Sequence, residues 1–250
     1  ALRHKNMTTQ IFRKRYKQKN KHNTMKFYLS SYKLGNKASI LQSWFEQTKN
    51  KKIALIPNAI DYSTKGQEFM AKKNQRSLKL LAGIGLEPEV LDLKDYFNKK
   101  EELKTKLSEF AGVFIRGGNT FVLRAAMKLS GFDQIITQIK ENPQTKQEKG
   151  FIYSGYSAGI CILAEDMHSL QIVDDPNKFP YAKLFNPDAN NHKIANQTIW
   201  EGLGFLTYMI LPHYDSDHPE SADIEKEVKY CKDNNLPYKT LRDGEVIIIE

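Results

Sequence analysis

The chain has 250 residues, 40% of them hydrophobic and 27% charged, which suffices for one sizeable core and sits near the upper end for a single domain. No stretch approaches the roughly 20 consecutive apolar residues of a membrane span, and no short apolar segment of a secretory signal opens the chain, so a cytoplasmic protein with no membrane partner is expected. The formal charge of +9 suggests nucleic acid until it is mapped: residues 1–24 hold Arg3, Lys5, Arg13, Lys14, Arg15, Lys17, Lys19 and Lys21 with no acid, leaving 30 bases against 29 acids elsewhere.

Nucleic acid is therefore not an expected partner of residues 25–250. Residues 1–24 show neither helical nor strand periodicity and are read as a basic leader, disordered or non-native, with Met25 as the native start. Residues 25–250 are read as a single α/β domain. The two cysteines, Cys161 and Cys231, sit inside apolar helical patterns and are read as reduced packing residues, which also fits cytoplasm.

From Met25 onward short apolar runs alternate with amphipathic stretches, the signature of a doubly wound, mostly parallel sheet with helices on both faces. The first expected strand is Phe27 to Ser30, followed by a helical face of Ile40, Leu41, Trp44 and Phe45. Strands at Ile53 to Pro57 and Val90 to Leu93 come next. A second helical face, Leu103, Leu107 and Phe110, precedes a strand at Gly112 to Ile115, and another strand is expected at Phe151 to Ser154. Glu165 to Glu201 is rich in Asp, Asn and Pro and reads as an irregular excursion beside the site. Thr207 to Leu211 is read as a strand, Ile224, Val228 and Cys231 as a third helical face, and Val246 to Ile249 as the last strand.

Four segments carry chemistry. Gly155-Tyr156-Ser157-Ala158-Gly159 follows the apolar run Phe151-Ile152-Tyr153 and precedes Ile160-Cys161-Ile162-Leu163. A strand, sharp turn and helix of this kind push a serine hydroxyl over the C-terminal edge of a sheet, near a helix N-terminus that favours developing negative charge. The bland alternative is a tight turn whose serine caps the helix. Cys161, four residues on, is the weaker nucleophile, since the centre of the turn belongs to Ser157.

Ile115-Arg116-Gly117-Gly118-Asn119-Thr120-Phe121 repeats the strand-to-helix pattern. The amides of Gly118 and Ala158 are candidates for the two donors that hold a tetrahedral oxyanion, although a phosphate-cradling loop or a plain turn would look the same. Arg116 is a candidate contact for a substrate carboxylate, or else an arginine paired with a surface acid.

Met209-Ile210-Leu211-Pro212-His213-Tyr214-Asp215-Ser216-Asp217-His218-Pro219-Glu220 is expected to bring His213 to the same sheet edge as a general base. His213, Asp215, Asp217 and His218 alternate as metal ligands can, but Asp217, His218 and Pro219 read better as the entry to a helix beginning near Glu220, so no metal is expected. Leu241-Arg242-Asp243-Gly244-Glu245 places a carboxylate where it could orient His213, or is an ordinary Asp-Gly hairpin turn.

Together the R-G-G-N-T-F loop, the G-Y-S-A-G turn and the L-P-H-Y-D-S-D-H-P-E segment resemble the dipeptidase E and cyanophycinase family of serine peptidases. The resemblance runs from about Met25 to the C-terminus and implies a class I glutamine amidotransferase-like fold with serine in place of cysteine. It implies Ser157 as nucleophile, His213 as base, Asp243 as the third member where dipeptidase E has a glutamate, and Gly118 with Ala158 as oxyanion donors. Asn119, Thr120 and Arg116, in the loop beside these groups, are read as substrate-binding residues. The order serine, histidine, acid separates this arrangement from ordinary α/β hydrolases. Arg116 departs from the family loop, which often has a third glycine there.

The function implied is hydrolysis of small peptides without a cofactor, with a homodimer as the one protein partner considered. The competing class is an amidotransferase-like binding or regulatory module without turnover, because a fold does not fix an activity.

Overall fold

The computed structural model describes residues 25–144, 150–181 and 198–250. The leader 1–24 and residues 182–197 of the expected excursion lie outside the described residues. The strands are β1 (Lys26–Ser30), β2 (Lys52–Ile56), β3 (Glu87–Val90), β4 (Gly112–Ile115), β5 (Ile152–Tyr156), β6 (Met209–Leu211), β7 (Tyr238–Thr240) and β8 (Val246–Ile249). Six of them form the central sheet in the order β3-β2-β4-β5-β1-β8. All its pairings are parallel except β1 with β8. This is the mixed α/β architecture with a mostly parallel sheet expected from the alternation of apolar runs.

Both faces of the sheet are covered, which is why β1, β2, β4, β5 and β8 read as largely apolar runs, unlike the edge strand β3. Successive side chains of a strand point to opposite faces. Phe27 and Leu29 of β1, Ala54 and Ile56 of β2, and Val113 and Ile115 of β4 therefore enter one core, while Tyr28, Ile53, Leu55 and Phe114 enter the other. The second core is closed by α1 (Ala38–Thr48) through Leu41, Trp44 and Phe45, and by α2 (Gly66–Ala82) through Leu81.

The first core receives α3 (Lys100–Leu107), α4 (Thr120–Ser130), α5 (Phe132–Glu141), α6 (Ala158–Cys161) and α7 (Ser221–Asp233). Full burial of each large apolar side chain is worth about 1.5–3 kcal/mol, so these two layers carry most of the stability. Among the described residues no helix is long and apolar enough to cross a membrane.

Two expected strands are corrected. The run Val90 to Leu93 is strand only up to Val90: the Asp92 side chain accepts a hydrogen bond from the Lys94 N–H and opens a short 3₁₀ turn at Leu93–Tyr96. The run Thr207 to Leu211 shortens to β6, which does not join the central sheet. It pairs in parallel with β7, a strand with no expectation behind it, in a separate two-stranded sheet.

The turn after β7 is no hairpin either. Its two flanking strands belong to different sheets, so Asp243 and Gly244 carry the chain from one sheet to the other.

Candidate active site

The C-terminal ends of β4 and β5, neighbours in the centre of the sheet, build the first half of the site. Ser157 follows β5 with φ 49° and ψ −120°, a left-handed backbone that a residue with a side chain adopts only under strain. It occupies the cap position of α6, yet its side chain makes no capping hydrogen bond. The helix begins this abruptly because Gly159 lies against β4: a Cβ there would stand 2.4 Å from the Ile115 carbonyl oxygen. Glycine is the one residue that allows this approach.

The parallel turn after β4 places Arg116, Gly117 and Gly118 opposite the serine. Gly118 has φ +148°, and a Cβ on it would come within 2.3 Å of the Ala59 carbonyl oxygen. Among the described residues, the amides of Gly118 and Ala158 donate to no acceptor within the protein. Asn119 caps α4, its side-chain oxygen accepting from the Val122 N–H at 2.9 Å and its amide donating to the Asp175 carbonyl at 3.0 Å. Both ends of its side chain are thus anchored to the protein's own backbone. The Thr120 N–H donates to Asp174 at 2.7 Å.

The second half of the site arrives from the small sheet. His213 follows β6 with φ 60° and is only 1% exposed. Its Nδ1 lies 2.6 Å from Asp243 Oδ1. Ser31, at the end of β1, ties the arm to the central sheet: its Oγ donates to Asp243 Oδ1 at 2.9 Å and accepts from the His213 N–H at 2.9 Å. The Asp243 N–H donates to Ser216 Oγ at 2.8 Å, which holds the carboxylate-bearing turn from its other side. Asp215 pairs instead with Arg242.

Ser157, His213, Gly118 and Arg116 line one cleft of about 350 Å³, together with Lys73 and Tyr62. Ser157, Gly118, Ala158 and Thr120 also line a smaller cavity behind it, which Leu170, Val173 and Asp174 of the expected excursion help to close. The two halves thus bring a strained serine, a buried imidazole with a carboxylate on its far nitrogen, and two unpaired amides to one place.

The sequence profile of peptidase family S51 matches residues 29–250. The chain belongs to peptidase family S51. An uncharacterized peptidase of Listeria monocytogenes is 28% identical over 138 residues, which span 55% of this chain and 56% of that protein. An uncharacterized peptidase of Listeria innocua is 24% identical over 227 residues, 88% of this chain and 94% of that one. A solved structure described as a candidate peptidase E from Listeria monocytogenes superposes with a TM-score of 0.60 at 22% identity, covering 90% of this chain and 98% of that one. Membership in S51, the dipeptidase E family, makes the chain a serine peptidase.

Electrostatics in the cleft of this S51 peptidase follow from burial. Burial, helped by the neighbouring His218, pulls His213 below the ordinary histidine range, against the upward pull of Asp243. The thiol of Cys161 is pushed far up by complete burial and donates to the Ile210 carbonyl at 3.4 Å, which leaves it a packing residue. Arg116 is 4% exposed and is held by Asn74 Oδ1 at 3.0 Å; no carboxylate among the described residues pairs with it, and its Nε has no partner. It is not the surface ion pair of the bland expectation, because it is buried.

Three residues in or beside the cleft were not singled out in the sequence. Ser31 ends an apolar strand like any other serine. Lys73 lies on α2, where a lysine ordinarily means a solvated face. Burial and then the charges of Arg116, Arg76 and Lys65 lower its ammonium below the usual lysine range. Glu220, read as a helix-entry acid, stands 4.0 Å from His213 Nε2.

Proposed function

We propose that this S51 peptidase cleaves amide bonds of short peptides through Ser157, His213 and Asp243. Ser157 Oγ attacks the substrate carbonyl carbon while His213 Nε2 takes its proton; Asp243, on Nδ1, sets the tautomer and stabilises the imidazolium. The carbonyl oxygen, now an oxyanion, accepts from the Gly118 and Ala158 amides. The intermediate collapses, the C–N bond breaks, and His213 gives its proton to the leaving amine. Water, deprotonated in turn by His213, then releases the acyl group from Ser157.

One observation carries this reading above the plain-turn alternative. Ser157 sits where a capping serine would sit, in a strained backbone, and its side chain does not cap. Strain of this kind costs on the order of 1–3 kcal/mol and persists where function needs the geometry.

Arg116 and Lys73 are the groups proposed to take a substrate carboxylate, either an acidic side chain or the C-terminus of a short peptide. A buried guanidinium without an anionic partner is costly, and a bound carboxylate relieves that cost. The cleft volume, at the lower end for small-molecule sites, suits a short peptide.

The test is a panel of dipeptides and tripeptides, free and C-terminally amidated, assayed beside Ser157→Ala and Arg116→Ala. Hydrolysis absent in Ser157→Ala is expected. Arg116→Ala should lower kcat/KM about tenfold or more for carboxylate-bearing substrates and leave neutral analogues nearly unchanged. Equal losses on both substrate types would remove Arg116 from recognition, and full activity in Ser157→Ala would overturn the mechanism.

A further inference from the structure

His213, His218 and Glu220 each offer a ligand atom, and those atoms lie within 4.8 Å of one another at the wall of the cleft. Two imidazoles and one carboxylate form a donor set suited to zinc and its neighbours in the first transition row, which favour nitrogen over the hard oxygen sites of magnesium and calcium. This trio differs from the alternation seen in the sequence. Asp215 is drawn off by Arg242, neither it nor Asp217 belongs to the trio, and Glu220 takes their place.

The arrangement leaves the correct nitrogen available. Asp243 occupies His213 Nδ1 at 2.6 Å, so Nε2 is the free donor, and Glu220 Oε2 stands 4.0 Å from it. The same carboxylate oxygen is 4.0 Å from His218 Nδ1. A carboxylate behind a ligating imidazole is also the usual outer-sphere partner of a metal-bound histidine, and Asp243 already holds that position.

The spacing is that of an open site. Bonds of about 2.0–2.1 Å to a tetrahedral ion put its donors roughly 3.3 Å apart, so the trio must contract by an ångström or so. The His213 and His218 rings are stacked at 3.7 Å with 9° between their planes, so their in-plane lone pairs lie in parallel planes. Convergence requires one ring to turn. His213 is fixed by Asp243 and Ser31, whereas His218 lies outside α7, is partly exposed, and is held there by a long 3.3 Å hydrogen bond from the Glu220 N–H. His218 is the less tightly held of the two rings.

We propose that His213 Nε2, His218 and Glu220 form an inhibitory site for one zinc ion. The ion occupies the lone pair with which His213 would accept the Ser157 proton, so the zinc-bound form is inactive and removal of the metal restores hydrolysis. Inhibition rests on the reading of His213 as the base; binding of the ion does not.

The experiment separates the two. Zinc is titrated calorimetrically into the full chain carrying Ser157→Ala, which has no turnover to confuse the reading, and into the same chain with His218→Ala or Glu220→Gln added. One zinc per chain is expected, with affinity falling at least tenfold in each double variant while the far-ultraviolet circular dichroism is unchanged. Cobalt added to the Ser157→Ala chain should give the visible absorption of a tetrahedral site. In parallel, zinc should inhibit the wild-type peptidase, and a chelator should restore it.

No saturable zinc binding, or binding equally tight in both double variants, overturns the site. Binding with the expected variant dependence but without inhibition would leave the site in place and overturn His213 as the base. Zinc-dependent stimulation would overturn the inhibitory assignment.

Discussion

The turn that carries Ser157 and the arm that carries His213 reach the same cleft by different routes. The serine turn is local: five consecutive residues, a strand before and a helix after, held by glycine contacts to the neighbouring strand. The histidine arm is assembled at a distance. His213 leaves a two-stranded sheet, Asp243 lies on the crossing from that sheet back to the central one, and Ser31, just past β1, joins them. A nucleophile needs one strained position, which neighbours in sequence can impose. An acid–base pair needs two side chains at hydrogen-bond distance, and those are supplied by whichever segments the tertiary structure brings together.

Substitutions in the two regions test that contrast. The largest effect belongs to the local turn: Ser157→Ala should lower kcat/KM about ten-thousandfold or more, because the bond-forming group is gone. Its melting temperature should stay nearly equal, because alanine keeps the Cβ and bears the same backbone strain, as calorimetry would register. Unfolding of this variant would make the serine a structural residue.

In the assembled arm the losses should be graded. Asp243→Asn keeps the shape but loses the charge on His213 Nδ1, and a fall in kcat of about a thousandfold to ten-thousandfold is expected, no larger than for Ser157→Ala. Steady-state kinetics with Asp215→Asn as the comparison decides it. A heavier loss in Asp215→Asn would show the wrong carboxylate to have been paired with the histidine.

Ser31→Ala should cost about tenfold in kcat, in line with removal of one hydrogen bond to a charged group, with little change in KM. Ser31 is a positioning residue, so Ser31→Thr, which keeps the hydroxyl, should recover part of the loss. An equal loss in both variants would reduce Ser31 to packing.

The smallest effect is on pH dependence. Hydrolysis needs neutral His213. Burial and His218 depress its pKa, so on acidification the imidazole stays neutral to lower pH than an ordinary histidine. The acidic limb of kcat/KM, measured with a chelator present, should therefore fall below the usual histidine value of about 6.5. His218→Ala removes one of the two depressing causes and should move the limb upward; a downward move would assign His218 the opposite influence.

Residues near in sequence were legible without coordinates. The apolar runs of β1, β2, β4, β5 and β8 announced a sheet covered on both faces, because a strand buried on both sides has no polar alternation. The turn at Ser157 was legible because strand, glycine, serine, glycine and helix must be contiguous to make it. Glu87–Val90 was misplaced by a few residues, because the Asp92 side chain ends the strand through a hydrogen bond that apolar patterning does not register.

What only the tertiary structure decided is what depends on remote partners. Asp243 within an Asp-Gly pair reads as a hairpin turn; its place beside His213 follows from β7 and β8 belonging to different sheets. Arg116 reads either as a substrate contact or as a surface ion pair until the packing of α2 buries it beside Asn74 and Lys73. Glu220 reads as a helix-entry acid until the stacking of His218 on His213 leaves its carboxylate facing Nε2. Strand and turn preferences act over a few residues, whereas hydrogen bonds and burial act between whatever the fold brings within about 3 Å, so the chain alone determined the serine turn and the tertiary structure determined its partners.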